Sequence, residues 1–129
     1  MKTLCLPIAL LLVSAASAYA ADAPVLKADF QEFVVLPYGM YFGEVAGAAV
    51  NSRGHVFVFS RGNTSGQLLN AIAAQLLELD GTGKFVREIG HNLYGFGFAH
   101  TIRVDRHDNI WTVDKGTDMV AKFSPEGGC

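Results

Sequence analysis

Cysteine is almost missing from this 129-residue chain, which has two, Cys5 and Cys129. Cys5 lies in a leader expected to be removed and comes too early to accept a lipid, so the mature chain keeps one thiol and cannot close an internal disulfide. A disulfide-stapled scaffold is thereby excluded. Clustered positive charge is missing too. Ten basic and twelve acidic side chains give a formal net charge of −2, and no stretch gathers Lys or Arg densely enough to grip a phosphate backbone. Nucleic acid is not an expected partner. The apolar stretch that begins at Leu4 is too short to cross a hydrocarbon core about 30 Å thick, so no membrane span is expected after processing.

That stretch has another use. Met1-Lys2 supplies a positive start, an apolar run follows, and Ala18-Tyr19-Ala20 gives the small-x-small pattern of a cleavage site. Residues 1–20 therefore read as an export signal, with Ala21 as the mature terminus and a secreted or periplasmic destination. About 110 residues remain, which sets a ceiling of one domain.

The mature part repeats. Asn51-Ser-Arg-Gly-His-Val-Phe-Val-Phe-Ser-Arg-Gly62 lies over Asp105-Arg-His-Asp-Asn-Ile-Trp-Thr-Val-Asp-Lys-Gly116, and Leu76-Leu-Glu-Leu-Asp-Gly-Thr-Gly83 lies over Val120-Ala-Lys-Phe-Ser-Pro-Glu-Gly127. Each copy reads as a strand of small residues (45–50, 99–104), a polar turn, a strand rich in β-branched and aromatic residues (56–59, 110–113), and a third strand (75–79, 119–123) running into a Gly-containing turn. Residues 84–89 add a fourth strand to the first copy. Repeated antiparallel strands at this spacing predict an all-β fold, a β-propeller whose blades usually repeat every 40 to 50 residues or so. Residues 21–42 would lead into a partial propeller spanning 43–129, with one blade over 43–90 and an incomplete one over 97–129. Val56, Phe57, Ile110 and Trp111 are expected to pack between blades. Residues 66–79 dissent, with Leu68, Leu69, Ile72, Ala73, Leu76 and Leu77 at helical spacing. A short helix is expected there, giving way to strand near Leu76.

Only a few residues offer chemistry. His55 and His107 sit in or beside polar turns and read as solvated. His91 lies in a connection. His100 differs, because it interrupts the innermost strand of the second copy where the first has Ala46, and inner strands line a propeller's channel. A lone imidazole still fixes no ion, since a catalytic zinc needs about three protein ligands. Arg61 ends the second strand of the first copy. It reads either as a solvated strand-end cation, like Lys115, or as a clamp holding a carboxylate through two parallel hydrogen bonds.

These residues carry a resemblance. Gly43-Glu-Val-Ala-Gly-Ala-Ala-Val-Asn51 through Val58-Phe-Ser-Arg-Gly62 resembles the first blade of the peptidyl-α-hydroxyglycine α-amidating lyases. Gly90-His-Asn-Leu-Tyr94 and His100-Thr-Ile-Arg-Val-Asp-Arg-His-Asp-Asn-Ile-Trp-Thr-Val-Asp114 resemble the next. The likeness covers nearly all of residues 43–124, and its Asp-x-x-x-Asn-Ile-Trp-x-x-Asp part is general to NHL-type propellers. It implies a six-bladed propeller with channel zinc and structural calcium that splits a carbinolamide C–N bond into a peptide amide and glyoxylate. Arg61 falls on the family's catalytic Arg, His100 on its first zinc ligand, and Ala48 and Ile102 on backbone carbonyls that bind calcium. By the same resemblance zinc acidifies the substrate hydroxyl, Arg61 holds the substrate carboxylate or the base, and a tyrosine takes the proton. The sequence departs at Ala99 and Thr101, where the family has Pro and Gly, and at Ser60, where it has His. The family's remaining zinc histidines and tyrosine belong to later blades.

The expectation is thus the N-terminal part of an exported lyase-like propeller, acting in its full form on a small peptide-like substrate, inactive over these residues alone, and prone to self-association through exposed blade faces. A non-catalytic NHL-type propeller binding a peptide, protein or glycan is the alternative, because one fold hosts many functions. A calcium-dependent lactone hydrolase on a similar propeller is weaker, since it would need acidic residues converging on the channel and Asp105 and Asp114 read as turn and strand-end residues.

Overall fold

β-Branched and aromatic residues pack well on a pleated surface, and they dominate the segments that become strands here. The computed structural model describes residues 25–29, 31–62 and 74–129. The expected leader over 1–20, its cleavage at Ala21 and the helically spaced residues 66–73 lie outside the described residues. The later part of that last stretch is strand, as expected.

Seven strands form two antiparallel meanders within the compact unit Gln31–Cys129. The first sheet is ordered β1 (Val45–Val50), β2 (Val56–Ser60), β3 (Gln75–Leu79) and β4 (Phe85–Ile89). The second is ordered β5 (Ala99–Val104), β6 (Ile110–Asp114) and β7 (Met119–Phe123). The chain is all-β over the described residues, and its strands follow the internal repeat residue for residue.

The turns repeat as well. Asn51, Asp80, Asp105 and Ser124 each open a five-residue turn whose fourth position has positive φ: 78° at Gly54, 85° at Gly83, 62° at Asp108 and 89° at Gly127. In the first three, one carboxamide or carboxylate oxygen accepts two backbone N–H groups, as Asn51 does from Arg53 and His55 and Asp105 from His107 and Asn109. Asp108 is the exception to glycine, and Asp is among the few side chains that tolerate this backbone. Its carboxylate accepts from Ser52 N (2.9 Å) and Ser52 Oγ (2.5 Å), tying the turn of one sheet to that of the other.

The sheets pack through one cluster: Phe57, Phe59, Leu76 and Ile89 from the first, Ala99, Ile102, Ile110 and Phe123 from the second, and Phe96 from the connection. Phe96 sits between Phe59 (ring centroids 5.0 Å) and Phe123 (5.9 Å). Inner strands β1 and β5 meet at Gly47, where a Cβ would lie 3.2 Å from Ile102 Cγ2. Glu78 is buried in the same interface, paired with Phe57 on the face that meets the second sheet. It lies 2.6 Å from Arg87 Nε and 2.7 Å from His55 Nδ1. Arg87 also donates to the carbonyls of Pro125 (2.8 Å) and Glu126. Ahead of β1 the chain docks on the outer edge of β4, with Val35 N donating to Gly83 O (2.8 Å) and Phe85 N to Val35 O (3.1 Å).

Three expectations, on Trp111, Val56 and His55, are corrected. Trp111 does not pack between the sheets; it is 38% exposed, its Nε1 donating to Asp105 Oδ2 at 3.0 Å. Successive strand residues point to opposite faces, so once Ile110 turns inward Trp111 must turn outward. By the same alternation Phe57 is fully buried in the shared core while Val56 faces the other way and is half-buried. His55 is no solvated turn residue, because its ring reaches the buried Glu78. His107 is exposed, beside Arg106.

Candidate functional site

Glu44 and Phe98 stand at equivalent points of the repeat, each just ahead of an inner strand. Each carbonyl accepts the N–H that follows the neighbouring strand, Arg61 N to Glu44 O and Lys115 N to Phe98 O, both at 2.9 Å. Below them Ser60 and Asp114 brace the start of the same strands: Gly43 N donates to Ser60 Oγ (3.1 Å) and Phe98 N to Asp114 Oδ2 (2.7 Å). The backbone around Arg61 is therefore held from two sides before its side chain is considered.

The Arg61 guanidinium spans the gap between the two equivalent points. Its Cζ lies 3.9 Å above the Phe98 ring, its Nε donates to Ala99 O at 2.8 Å, and its Nη1 donates to Glu44 Oε1 at 2.5 Å. A planar cation stacks well on an aromatic face and presents its donors in a fixed fork. The Arg61 side chain is 17% exposed against 51% for Glu44, so the cation is fixed while its carboxylate partner reaches in from solvent. Arg61 is a bound strand-end cation and not a solvated one.

His100 follows Ala99, the residue whose carbonyl Arg61 holds. It is exposed, and it is the extra residue in a bulge between the Ala99–Asp114 and Thr101–Val113 pairs. Ala46 is the extra residue of the matching bulge, between the Val45–Ser60 and Gly47–Phe59 pairs. A bulge re-aims the extra side chain out of the ladder. The structure thus brings Arg61 and His100 to the same end of β5.

His91 lies elsewhere, its Nδ1 3.0 Å from Glu88 Oε2, and both residues line an open cleft of about 580 Å³ with Tyr38, Tyr41 and Gly62. Among the described residues no three His, Cys, Asp or Glu side chains converge as a metal site. They do not by themselves fit the zinc that the resemblance implies, since His100 brings one imidazole where about three ligands are needed. The Ile102 carbonyl accepts from Arg103 Nη1 at 2.6 Å. Ala48, at the equivalent position of β1, pairs with Val58 and is exposed.

Sequence reasoning missed Glu44 and Phe98. Aligning the two copies one residue further upstream would have put them in one column, immediately before the strands that carry Ala46 and His100. No protein-family model matches the chain, and a search of curated proteins finds none similar to it.

Proposed function

We propose that these residues form two consecutive blades of an NHL-type β-propeller of the amidating-lyase kind, and that Arg61 and His100 are its part of the substrate site. The observation that carries this reading is the hydrogen bond from Arg61 Nε to Ala99 O, which ties Arg61 to the residue next to His100 at the start of one inner strand. The blade assignment draws support from the direction of the faces. Phe57, Phe59, Leu76 and Glu78 look from the first sheet toward the second. Their repeat equivalents Trp111, Val113, Val120 and Lys122 look out of the second sheet on the side away from the first. Successive blades of a propeller stack in this head-to-tail sense.

In this reading Arg61 binds the carboxylate of an N-acyl-α-hydroxyglycine. The reaction transfers the substrate's hydroxyl proton to nitrogen as the C–N bond breaks, giving the amide and glyoxylate. The described residues supply recognition and not the whole reaction centre, so calorimetric titration of the purified mature chain with N-benzoyl-α-hydroxyglycine should give binding that is lost in Arg61→Ala and poorly restored in Arg61→Lys. Glyoxylate release should stay at background even with zinc added. Undiminished binding by Arg61→Ala would overturn the assignment of Arg61.

The second reading is a non-catalytic propeller that binds a peptide, protein or glycan. The outward face of the second sheet favours it, with Trp111 38% and Val120 63% exposed and Lys122 Nζ 5.3 Å from the Trp111 ring centroid. A ligand of this kind would perturb Trp111 fluorescence and leave Arg61 untouched. The same face would mediate self-association, which light scattering of the Trp111→Ser variant would reduce.

A further inference from the structure

We infer that Glu44 is an internal occupant of the carboxylate site on Arg61, a positioning residue that a ligand carboxylate must displace. This rests on Arg61 as the carboxylate-binding group proposed above. It adds the competitor and the device that holds the guanidinium ready.

The guanidinium has two edges and two faces. One face is taken by Phe98 at 3.9 Å, and the Nε edge is anchored on Ala99 O at 2.8 Å. These contacts belong to a largely buried side chain, and they fix the direction of the outer nitrogens without neutralising the charge. Nη1 donates to Glu44 Oε1, 2.5 Å away, on a side chain that is half exposed. The asymmetry decides the behaviour. An ion pair with one partner in water is worth about 0 to 1 kcal/mol, so Glu44 can swing out cheaply. Stacking on Phe98 and the bond to Ala99 remain when it does, so Arg61 keeps its aim.

A ligand offering a carboxylate to the outer nitrogens would reproduce the contact that Glu44 makes. A ligand whose carboxylate is blocked as an amide would not, because it brings no negative charge to offset the lost pair. The chemistry selected is a free carboxylate on a small N-acyl amino acid, with Glu44 setting the concentration at which it enters. Lys115, the repeat equivalent of Arg61, has the same backbone bond to Phe98 but lacks the planar fork that bidentate recognition needs.

The test is a titration of the mature chain with N-acetylglycine and, separately, N-acetylglycinamide, following the Arg61 Nε–H signal by ¹⁵N-edited NMR. In Glu44→Gln the acid should bind more tightly than in wild type by up to about fivefold, the factor that the upper end of an exposed ion pair's worth represents. Glu44→Asp should fall between the two, and the amide should move the signal in none of them. Phe98→Leu should weaken acid binding in both the wild-type and Glu44→Gln backgrounds, because the shelf is lost whether or not the competitor is present. Equal affinity of wild type and Glu44→Gln, with the Arg61 signal responding in both, would overturn the role of Glu44 and leave the carboxylate site standing. No response of Arg61 to the acid in either protein would overturn both.

Discussion

Ala46 and His100 occupy the same place in the two sheets, each the one residue squeezed out of the pairing between an inner strand and its neighbour. The first sheet makes its bulge with a methyl group, so the bulge does not need an imidazole. His100→Ala should therefore leave stability within about 0.5 kcal/mol of wild type, as for an exposed position without special contacts. Urea unfolding checks this, and a loss above about 1.5 kcal/mol would make His100 a structural residue.

Arg87 behaves in the opposite way. It is the charged partner of a carboxylate 2% exposed in the interface between the sheets. Removing one member of a buried pair strands the other, at a cost of about 3 to 5 kcal/mol. Arg87→Ala should lose less than that, because His55 Nδ1 still meets the same carboxylate at 2.7 Å and the Arg87 side chain is itself 34% exposed. The double variant Glu78→Leu/Arg87→Met should recover most of the loss. If the single and double variants unfold at the same urea concentration, the stranded charge is not the cause.

Gly83 admits no side chain. A Cβ there would lie 1.7 Å from the carbonyl oxygen of Phe33, and its φ of 85° is unfavourable for any L-residue. Gly83→Ala should push the lead-in segment off the edge of β4 as well as cost about 1 kcal/mol in backbone conformation. Hydrogen exchange should show lost protection at Val35 N and Phe85 N with the core of β2 and β6 unchanged. Retained protection at both amides would contradict the docking of this segment.

Asp105 has its carboxyl held far below the usual carboxylate range, first by the hydrogen bond from Trp111 and next by that from Asn109. The unfolded chain then takes up this proton at a higher pH than the folded one does. The stabilisation from Asp105 is complete above the ordinary carboxylate range and is lost as pH falls through and below it. Asn51 closes the equivalent turn with a carboxamide, so Asp105→Asn should keep the turn while losing the charge and the Oδ2 acceptor that Trp111 and Asn109 use. The difference in urea midpoint between wild type and Asp105→Asn should shrink from pH 6 toward pH 3, and a difference that grows on acidification would reverse the sign of the argument.

The sheets were legible because the sequence repeats, and a repeat constrains long-range structure in a way that local propensity cannot. Strand positions, the polar turns and the equivalence of Ala46 with His100 all follow from laying one copy over the other. Trp111 was misjudged for want of one further step: periodicity gives two faces, and only the burial of Ile110 decides which of them is inside. The pairing of His55 with Glu78 joins residues far apart in the chain through side chains alone, so no local pattern announces it. Glu44 and Arg61 flank adjacent strands of one sheet, but Phe98 meets Arg61 only when the two sheets are packed, and that packing is set by the aromatic cluster around Phe96.

The central claim is that Arg61 and His100 act on one ligand at the start of β5. The most direct measurement is a titration of the purified mature chain with N-benzoyl-α-hydroxyglycine, recording the Arg61 Nε–H and His100 imidazole signals together by ¹⁵N-edited NMR. The account predicts that both shift along one saturation curve with a common dissociation constant, and that both shifts disappear in Arg61→Ala. Movement of only one signal, or movement of both that survives Arg61→Ala, would contradict it.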